Sequence, residues 1–403
     1  MKYAANDQIQ IALIGSGGMG QGDVRDALLN EGVRVIAAAD VYDGRLRKMQ
    51  ETYPGIFTTR DYREVLARKD VDAVIIATPD HWHARISIDA LEAGKDVYCE
   101  KPMVQKIEEG KQVIDAHRRS GRIFQVGSQY ASALSFQKIG QLIRQGAIGE
   151  LNMVEAWLDR NTALGAWQYS IPPDASPANI DWDRFLGHAP KRPFEPIRLF
   201  RWRNYLDYGT AVAGDLYVHL LTGLHTALGA LGPTRIFSTG GIRYWRDGRE
   251  TPDTLAAWLD YPEGFGVELA VSLNGVRPRR ELAIVGTLGA LTIGEHDVTF
   301  HAEPLAEPYE AVAETWPARY REWFYMIHGM TPQGLVRGRV AAERAAERYE
   351  PPAAVAPEAA HLADFVESIR AGRAPREPLA AGLAAADAGL LVAEAAEAGA
   401  VVR

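Results

Sequence analysis

Hydrophobic and polar positions follow two alternating periods in the first part of the chain. Gln10–Ile14 is a short apolar, β-branched run that ends in glycines; from Val24 to Leu28 the apolar spacing becomes i, i+3, i+4, and Gly32 closes that segment. Val33–Ala39 is a second buried-strand pattern, stopped by Asp40. Val71–Thr78 is an unbroken apolar run, the signature of a strand covered on both faces. Ile86–Ala93 has helical spacing and ends at Gly94; Asp96–Cys99 predicts a strand, Ile107–Ser120 a helix and Ile123–Gly127 another strand. Strands and helices alternating at this spacing imply right-handed crossovers and a parallel, doubly wound sheet.

The pattern changes after about Gln129. Ser132–Gln145 predicts a helix and Leu151–Leu158 an alternating strand, and a Pro- and Trp-rich segment then runs to about Tyr208. Leu255–Tyr261, Phe265–Ser272, Leu282–Val285 and Val298–His301 predict short strands joined by hairpin-like turns at Pro262–Gly264 and Gly286–Gly289. Phe265, Val267, Leu269 and Val271 alternate with Gly266, Glu268, Ala270 and Ser272, so one sheet face is the more apolar. Pro351–Ala360 is an Ala/Pro linker followed by Ala-rich helices. The expected organisation is an α/β Rossmann domain over residues 1–128 and an α+β domain over 129–403 with a large open, mostly antiparallel sheet, its last part (351–403) being linker and C-terminal helices. Trp157, Trp167, Trp182, Trp245 and Trp258 are expected in cores.

Composition narrows the partners. A net charge of −8 with both signs spread along the chain gives no basic stripe for nucleic acid or an anionic membrane surface. No apolar run reaches the roughly 18 residues that span a bilayer. The single cysteine, Cys99, leaves no internal disulfide and is read as an inert packed residue. Met1–Gln10 is short and polar, and the expected location is cytoplasmic, a reading that a removed export signal would match equally. His81 and His83 have no third ligand at metal-site spacing, so no metal is expected.

Gly15-Ser16-Gly17-Gly18-Met19-Gly20 has the G-x-G-x-x-G spacing, and it stands between a predicted strand and a predicted helix. In that context Gly15 permits a tight turn, Gly17 lets the backbone approach a diphosphate, and Gly20 allows close helix–strand packing. The diphosphate would sit on the free N–H groups of the helix N-terminus. Asp40 ends the second strand, where an acid holds adenosine ribose hydroxyls and repels a 2′-phosphate, which favours NAD over NADP; Arg45, just beyond, weighs the other way.

Two further segments carry chemistry. Cys99-Glu100-Lys101-Pro102 follows a strand at the carboxyl edge of the sheet, so Lys101 would extend into the cleft, with a bend or a cis peptide at Pro102. Asp215 and His219 are spaced i, i+4, which puts them on one helix face; a histidine accepts the proton of an alcohol undergoing oxidation, and the same spacing fits a structural helix contact as readily. Arg198, Arg201, Trp202, Arg203, Tyr205 and Tyr208 cluster just before Asp215. Such a cluster stacks on sugar faces and holds hydroxyls, or forms a surface loop with aromatic anchors. Arg201, Trp202, Tyr205 and Tyr208 are the substrate-binding candidates from it, beside Lys101, Asp215 and His219.

Taken together, Gly15–Gly20, Ala77-Thr78-Pro79-Asp80-His81-Trp82-His83, Ala93–Pro102, Asp215-x-x-x-His219 and the segment His361–Pro375 make the chain resemble the Gfo/Idh/MocA oxidoreductases over nearly its whole length. The resemblance implies a Rossmann domain followed by a domain whose open sheet pairs across subunits, as a homodimer or homotetramer. It implies Lys101, Asp215 and His219 as the catalytic group. It places Gly15, Gly17, Gly18, Met19, Gly20, Asp40, Thr78, Pro79, His83, Glu100 and Lys101 around NAD. Many members carry an Asp three residues after the histidine, where this chain has Thr222, which leaves the substrate contact made there open. The stretch Trp202–Gly209 points toward larger sugars or glycosides. The expected function is NAD-dependent hydride transfer from a ring hydroxyl of a sugar, glycoside or cyclitol. The alternative is a glycosidase with bound NAD that oxidises transiently, eliminates and re-reduces.

Overall fold

A computed structural model describes residues 8–230, 232–275, 282–294, 297–302, 313, 315–327, 347–351 and 356–402. Part of the Ala/Pro linker (352–355) lies outside the described residues. The alternating first part becomes a six-stranded parallel sheet of β1 (Ile9–Ile14), β2 (Val33–Ala39), β3 (Phe57–Thr59), β4 (Ala73–Ile76), β5 (Asp96–Glu100) and β6 (Phe124–Gly127), in spatial order β3-β2-β1-β4-β5-β6. This is the dinucleotide-binding order, and the direction of winding reverses between β1 and β4, where such folds bind their ligands. The crossovers are α1 (Gly18–Ala27), α2 (Asp43–Thr52), α3 (Tyr62–Leu66), α4 (His83–Glu92) and α5 (Ile107–Ser120). The strands read as near-continuous apolar runs because both faces are covered: Ile11 and Leu13 pack with Val24 on one side, Ala12 and Ile14 with Ile86 and Leu91 on the other.

After α6 (Leu134–Arg144) comes a second sheet, with β7 (Leu151–Asp159), β8 (Arg235–Gly241), β9 (Thr254–Asp260), β10 (Gly266–Ser272), β11 (Leu282–Gly286), β12 (Gly289–Ile293), β13 (Val298–Ala302) and β14 (Glu347–Tyr349). Its order is β14-β13-β12-β11-β7-β10-β9-β8; β7 and β10 run parallel and the other neighbours antiparallel. After the short helices α7 (Trp182–Leu186) and α8 (Pro196–Phe200) comes α9 (Val218–Leu228), on which the inner face packs with Val154, Leu269 and Ile284. On β10, Ala270 and Ser272 are covered as well as the apolar set, since the strand lies between β7 and β9 and the Trp258 ring lies over Gly266. The outer face keeps Phe237 at 50% and Trp258 at 39% exposure. Trp258 is therefore a surface residue and not the core residue expected, and of the five tryptophans only Trp167 is fully buried.

Three helices complete the described chain: α10 (Ala318–Ile327), α11 (Pro357–Ala371) and α12 (Leu379–Ala398). The C-terminal pair, expected within the second domain, is shared between the two. Leu362, Phe365 and Val366 of α11 join the core behind β1, while α12 contributes Ala386 to the first domain and Ala385, Ala388 and Val392 to the second. The α12 helix is long and apolar enough to cross a membrane by length and composition, yet these residues face the two protein cores.

Candidate active site

The glycine loop is shaped by close approach. Gly15 sits at φ +93°, and a Cβ there would lie 2.6 Å from the Ala77 carbonyl carbon; a Cβ on Gly20 would lie 2.4 Å from the Gly15 carbonyl oxygen. Only glycine fits either place without strain. A Cβ on Gly18, by contrast, would meet nothing within 4 Å, and one on Gly17 only the Arg45 guanidinium at 3.9 Å. No side chain caps α1, so its first backbone N–H groups are left without a side-chain acceptor. The cleft, of about 620 Å³, is lined by Gly15, Gly17, Gly18, Met19, Asp40, Thr78, Pro79, His83, Glu100 and Lys101 among others. Gly20, the remaining loop residue of the expected set, packs behind the lining. Thr78 Oγ1 is buried with no protein partner. An anion cradle of free N–H groups, a glycine surface open to a ligand and an unpartnered hydroxyl fit a dinucleotide diphosphate.

Asp40 stands just past the end of β2 and lines the cleft. Its Oδ2 accepts the Ser16 N–H at 2.8 Å, its Oδ1 accepts the Tyr42 N–H at 3.0 Å, and Arg45 stands 3.5 Å away. His83 lies between two carbonyls, Pro102 O at 2.7 Å from Nδ1 and Thr78 O at 2.8 Å from Nε2, and burial pushes its pKa down to about 4. The neutral ring has one N–H and donates to one of them. The Lys101–Pro102 peptide is cis. Glu100 accepts from Gln129 Nε2 at 2.9 Å, and burial raises its carboxyl to about 7.

Lys101 and Asp215, 114 residues apart in sequence, meet at the inner end. Lys101 Nζ donates to the Asp215 carbonyl at 2.7 Å and lies 3.2 Å from Asp215 Oδ1. Burial would raise the Asp215 carboxyl, but Arg203 and Lys101 beside it hold it well below the usual carboxylate range. Arg203 Nε donates to the same Oδ1 at 2.9 Å and its guanidinium stacks over Trp202 at 4.2 Å. Asp215 sits in a π-helical turn, Ala213–Tyr217, that runs into α9 with His219. The pair thus shares a helical segment, as its spacing predicts, with a widened turn at Asp215. Burial, then Lys101, lowers the His219 pKa well below the usual range, so the ring is neutral; its Nδ1 is buried without a partner and the ring packs 5.3 Å from Tyr130. Lys101 and Arg203 line the cleft, and Asp215 is bonded to both.

The aromatic and basic cluster divides. Trp202 lines the cleft. Arg201 turns away, to Gln168 and the Tyr169 carbonyl at 2.9 Å. Tyr205 and Tyr208 are 5% and 0% exposed within an apolar cluster, so they are packing residues and not substrate contacts. Arg203, left out of the site at the level of sequence, is its second cation; its place just after Trp202 in the segment leading to Asp215 was the available signal. Tyr169, Phe185, Leu199 and Phe200 also line the cleft and were not anticipated. Cys99 is buried and burial pushes its thiol well up, as an inert residue requires. His81 is tied to the Phe185 carbonyl at 2.8 Å. Among the described residues no group of three or more His, Cys, Asp or Glu is placed to hold a metal.

Residues 9–128 match the profile of the GFO_IDH_MocA family, described as an oxidoreductase family with an NAD-binding Rossmann fold. An uncharacterized oxidoreductase, YrbE of Bacillus subtilis, is 28% identical over 180 residues, 45% of this chain and 49% of that protein. A glycosyl hydrolase family 109 protein of Shewanella baltica is 32% identical over 159 residues, 37% of this chain and 35% of that protein. The chain thus spans half or less of the length of these curated relatives. In the fold, levoglucosan dehydrogenase in complex with NADH and levoglucosan superposes with a TM-score of 0.69 at 17% identity, covering 98% of this chain and 99% of that one.

Proposed function

From a dinucleotide-binding domain that belongs to the Gfo/Idh/MocA oxidoreductases, we propose that the chain is an NAD-dependent enzyme that oxidises a ring hydroxyl of a sugar, glycoside or cyclitol. The observation that carries this reading is the meeting of Lys101, Arg203 and Asp215 at the inner end of a cleft whose outer end is the glycine cradle. When bound, NAD supplies the two-electron acceptor. The protein supplies the rest. Lys101 donates a hydrogen bond to the substrate oxygen and stabilises negative charge growing there. Asp215 fixes the ammonium through two contacts, and Arg203 compensates its charge. Neutral His219 takes the hydroxyl proton on a ring nitrogen, for which a depressed pKa leaves it free. Trp202 offers an aromatic face to the sugar.

A second reading begins with the same oxidation and ends in cleavage of a glycosidic bond. The name of the Shewanella relative is consistent with it. Purified protein supplied with NAD is to be screened over sugars, cyclitols and aryl glycosides. Net nicotinamide reduction supports the first reading, and release of free sugar without net reduction the second. Neither, from protein that binds NAD, overturns both. We also propose that the outer sheet face, with Phe237 and Trp258, pairs with a second copy as a homodimer or homotetramer, since apolar side chains on an open face are stabilised by burial.

A further inference from the structure

We propose that Arg203 is a carboxylate receptor and that the substrate is a sugar acid, a ring bearing a carboxylate as well as the hydroxyl that is oxidised; the proposal rests on the reading that the cleft binds NAD and oxidises a ring hydroxyl. Five arginines line the cleft: Arg45, Arg60, Arg63, Arg184 and Arg203. The first four each bring an Nη to a carboxylate. Arg45 stands 3.5 Å from Asp40, Arg60 pairs with Asp43 at 2.5 Å, Arg63 with Asp61 at 2.8 Å and Arg184 with Asp61 at 3.2 Å. Arg203 meets its carboxylate through Nε, at 2.9 Å from Asp215 Oδ1, and among the described residues neither of its Nη groups has a hydrogen-bond partner. The side chain is 22% exposed and lines the cleft, so those groups are open to a ligand.

The guanidinium is held in one plane. Its Nε bond to Asp215 and its stacking over the Trp202 ring, at 4.2 Å, fix both direction and tilt. A fixed planar fork matches the two oxygens of a carboxylate, a bidentate pairing that an ammonium cannot make. Sugar hydroxyls would also accept from these N–H groups, and the charge balance selects the carboxylate. Lys101 and Arg203 share one carboxylate, Asp215, at 3.2 and 2.9 Å. The two other acids close enough to interact with Arg203, Asp80 and Glu100, are raised by burial to about 7, so below neutral pH they are largely uncharged. Arg160, just after β7, adds positive charge that acts on His219. A positive excess at the closed end of a cleft is compensated by an anion and not by a hydroxyl. Because Lys101 and Arg203 bond the same Asp215 oxygen, a hydroxyl on Lys101 and a carboxylate on Arg203 belong to one molecule of monosaccharide size, which describes a uronic acid.

The test reads binding, not turnover. Protein saturated with NADH at pH 6 is titrated calorimetrically with D-glucuronate, D-galacturonate and D-mannuronate, with the uronamide of each, and with the parent hexoses. A charge-assisted fork should make at least one uronate bind about ten- to a hundredfold more tightly than its own uronamide. Arg203→Gln should abolish that preference. Arg203→Lys keeps the charge beside Asp215 but not the fork; it should reduce the preference severalfold, and serves if Arg203→Gln does not fold. A wild type that binds a uronamide or a hexose as tightly as every uronate overturns the proposal and leaves the proposed oxidation standing. So does a preference for a uronate that persists unchanged in the folded variants, and so does NADH-loaded protein that binds no member of the panel. Protein that takes up no NADH at all, although folded by circular dichroism, overturns the underlying reading instead.

Discussion

Replacing Asp215 by Asn removes the carboxylate charge that bridges two cations, Lys101 and Arg203. Its Oδ1 stands 3.2 Å from Lys101 Nζ and 2.9 Å from Arg203 Nε, and the three side chains are 7%, 8% and 22% exposed respectively. At an effective dielectric near 20, each contact is worth about 5 kcal/mol of attraction before desolvation is counted. Breaking a buried pair by removing one partner costs roughly 3–5 kcal/mol, because the remaining charge stays buried. Asn keeps an oxygen for Arg203, and the Asp215 backbone carbonyl still accepts from Lys101 at 2.7 Å, so the lower value applies. At roughly 2–4 °C per kcal/mol for domains of 150–250 residues, the melting temperature should fall by about 6–12 °C. Differential scanning calorimetry measures it. Adding Arg203→Gln removes one of the two cations left facing each other and should recover part of the loss. An Asp215→Asn protein that melts with the wild type, or a double variant that is simply additive, would refute the charge-compensation argument.

Three further outcomes follow from the geometry. Asp40→Ala removes the acceptor for the ribose and two backbone N–H groups, and should weaken NAD by about tenfold or more in calorimetric titration, while equal affinity of the wild type for NAD and NADP would contradict the assignment. Asp80 is held near pKa 7 by burial, above the ordinary 3.8, so the folded protein keeps a proton that the unfolded chain releases as pH rises. That group's contribution to stability is present below about pH 4 and is lost between about 4 and 7; Asp80→Asn should therefore flatten this part of the urea stability profile, and an unchanged slope would count against it. Trp258→Glu places a charge on the open sheet face and should lower the mass measured by light scattering, whereas a wild type that is monomeric at micromolar concentration removes the pairing proposal.

What the sequence disclosed was what local constraints determine. The turn from β1 into α1 was legible because Gly15 and Gly20 are demanded by contacts within one strand–turn–helix unit, and α5 was legible to the residue because amphipathic spacing runs into Gly121 at φ +60°. Lys101 lines the cleft, and its position was legible because it follows a strand end at the carboxyl edge of the sheet. The misreadings are tertiary. Tyr205 and Tyr208 carry the residue type of a sugar site, but Tyr208 packs on Phe185 and Tyr205 on Tyr208 within a buried apolar cluster, which no local pattern reports. Arg203 acquires its role from a carboxylate twelve residues on that faces it only through the π-helical turn. Trp258 has the composition of a core residue on a strand whose alternation fits either face, and the sheet leaves its side open. Residues 171–210 lacked a period because they make no sheet or long helix of their own and fold against another domain's loops.

The most direct test of the central claim is single-turnover nicotinamide reduction in NAD-loaded protein, with the substrate the screen identifies, in wild type and His219→Ala. Removing a positioned proton acceptor should slow the reduction by about 10²–10⁴-fold. NAD affinity should hold, since His219 lies on α9 of the second domain and not on the glycine loop or the β-strand ends of the first. A His219→Ala protein that reduces its nicotinamide at the wild-type rate would contradict the account.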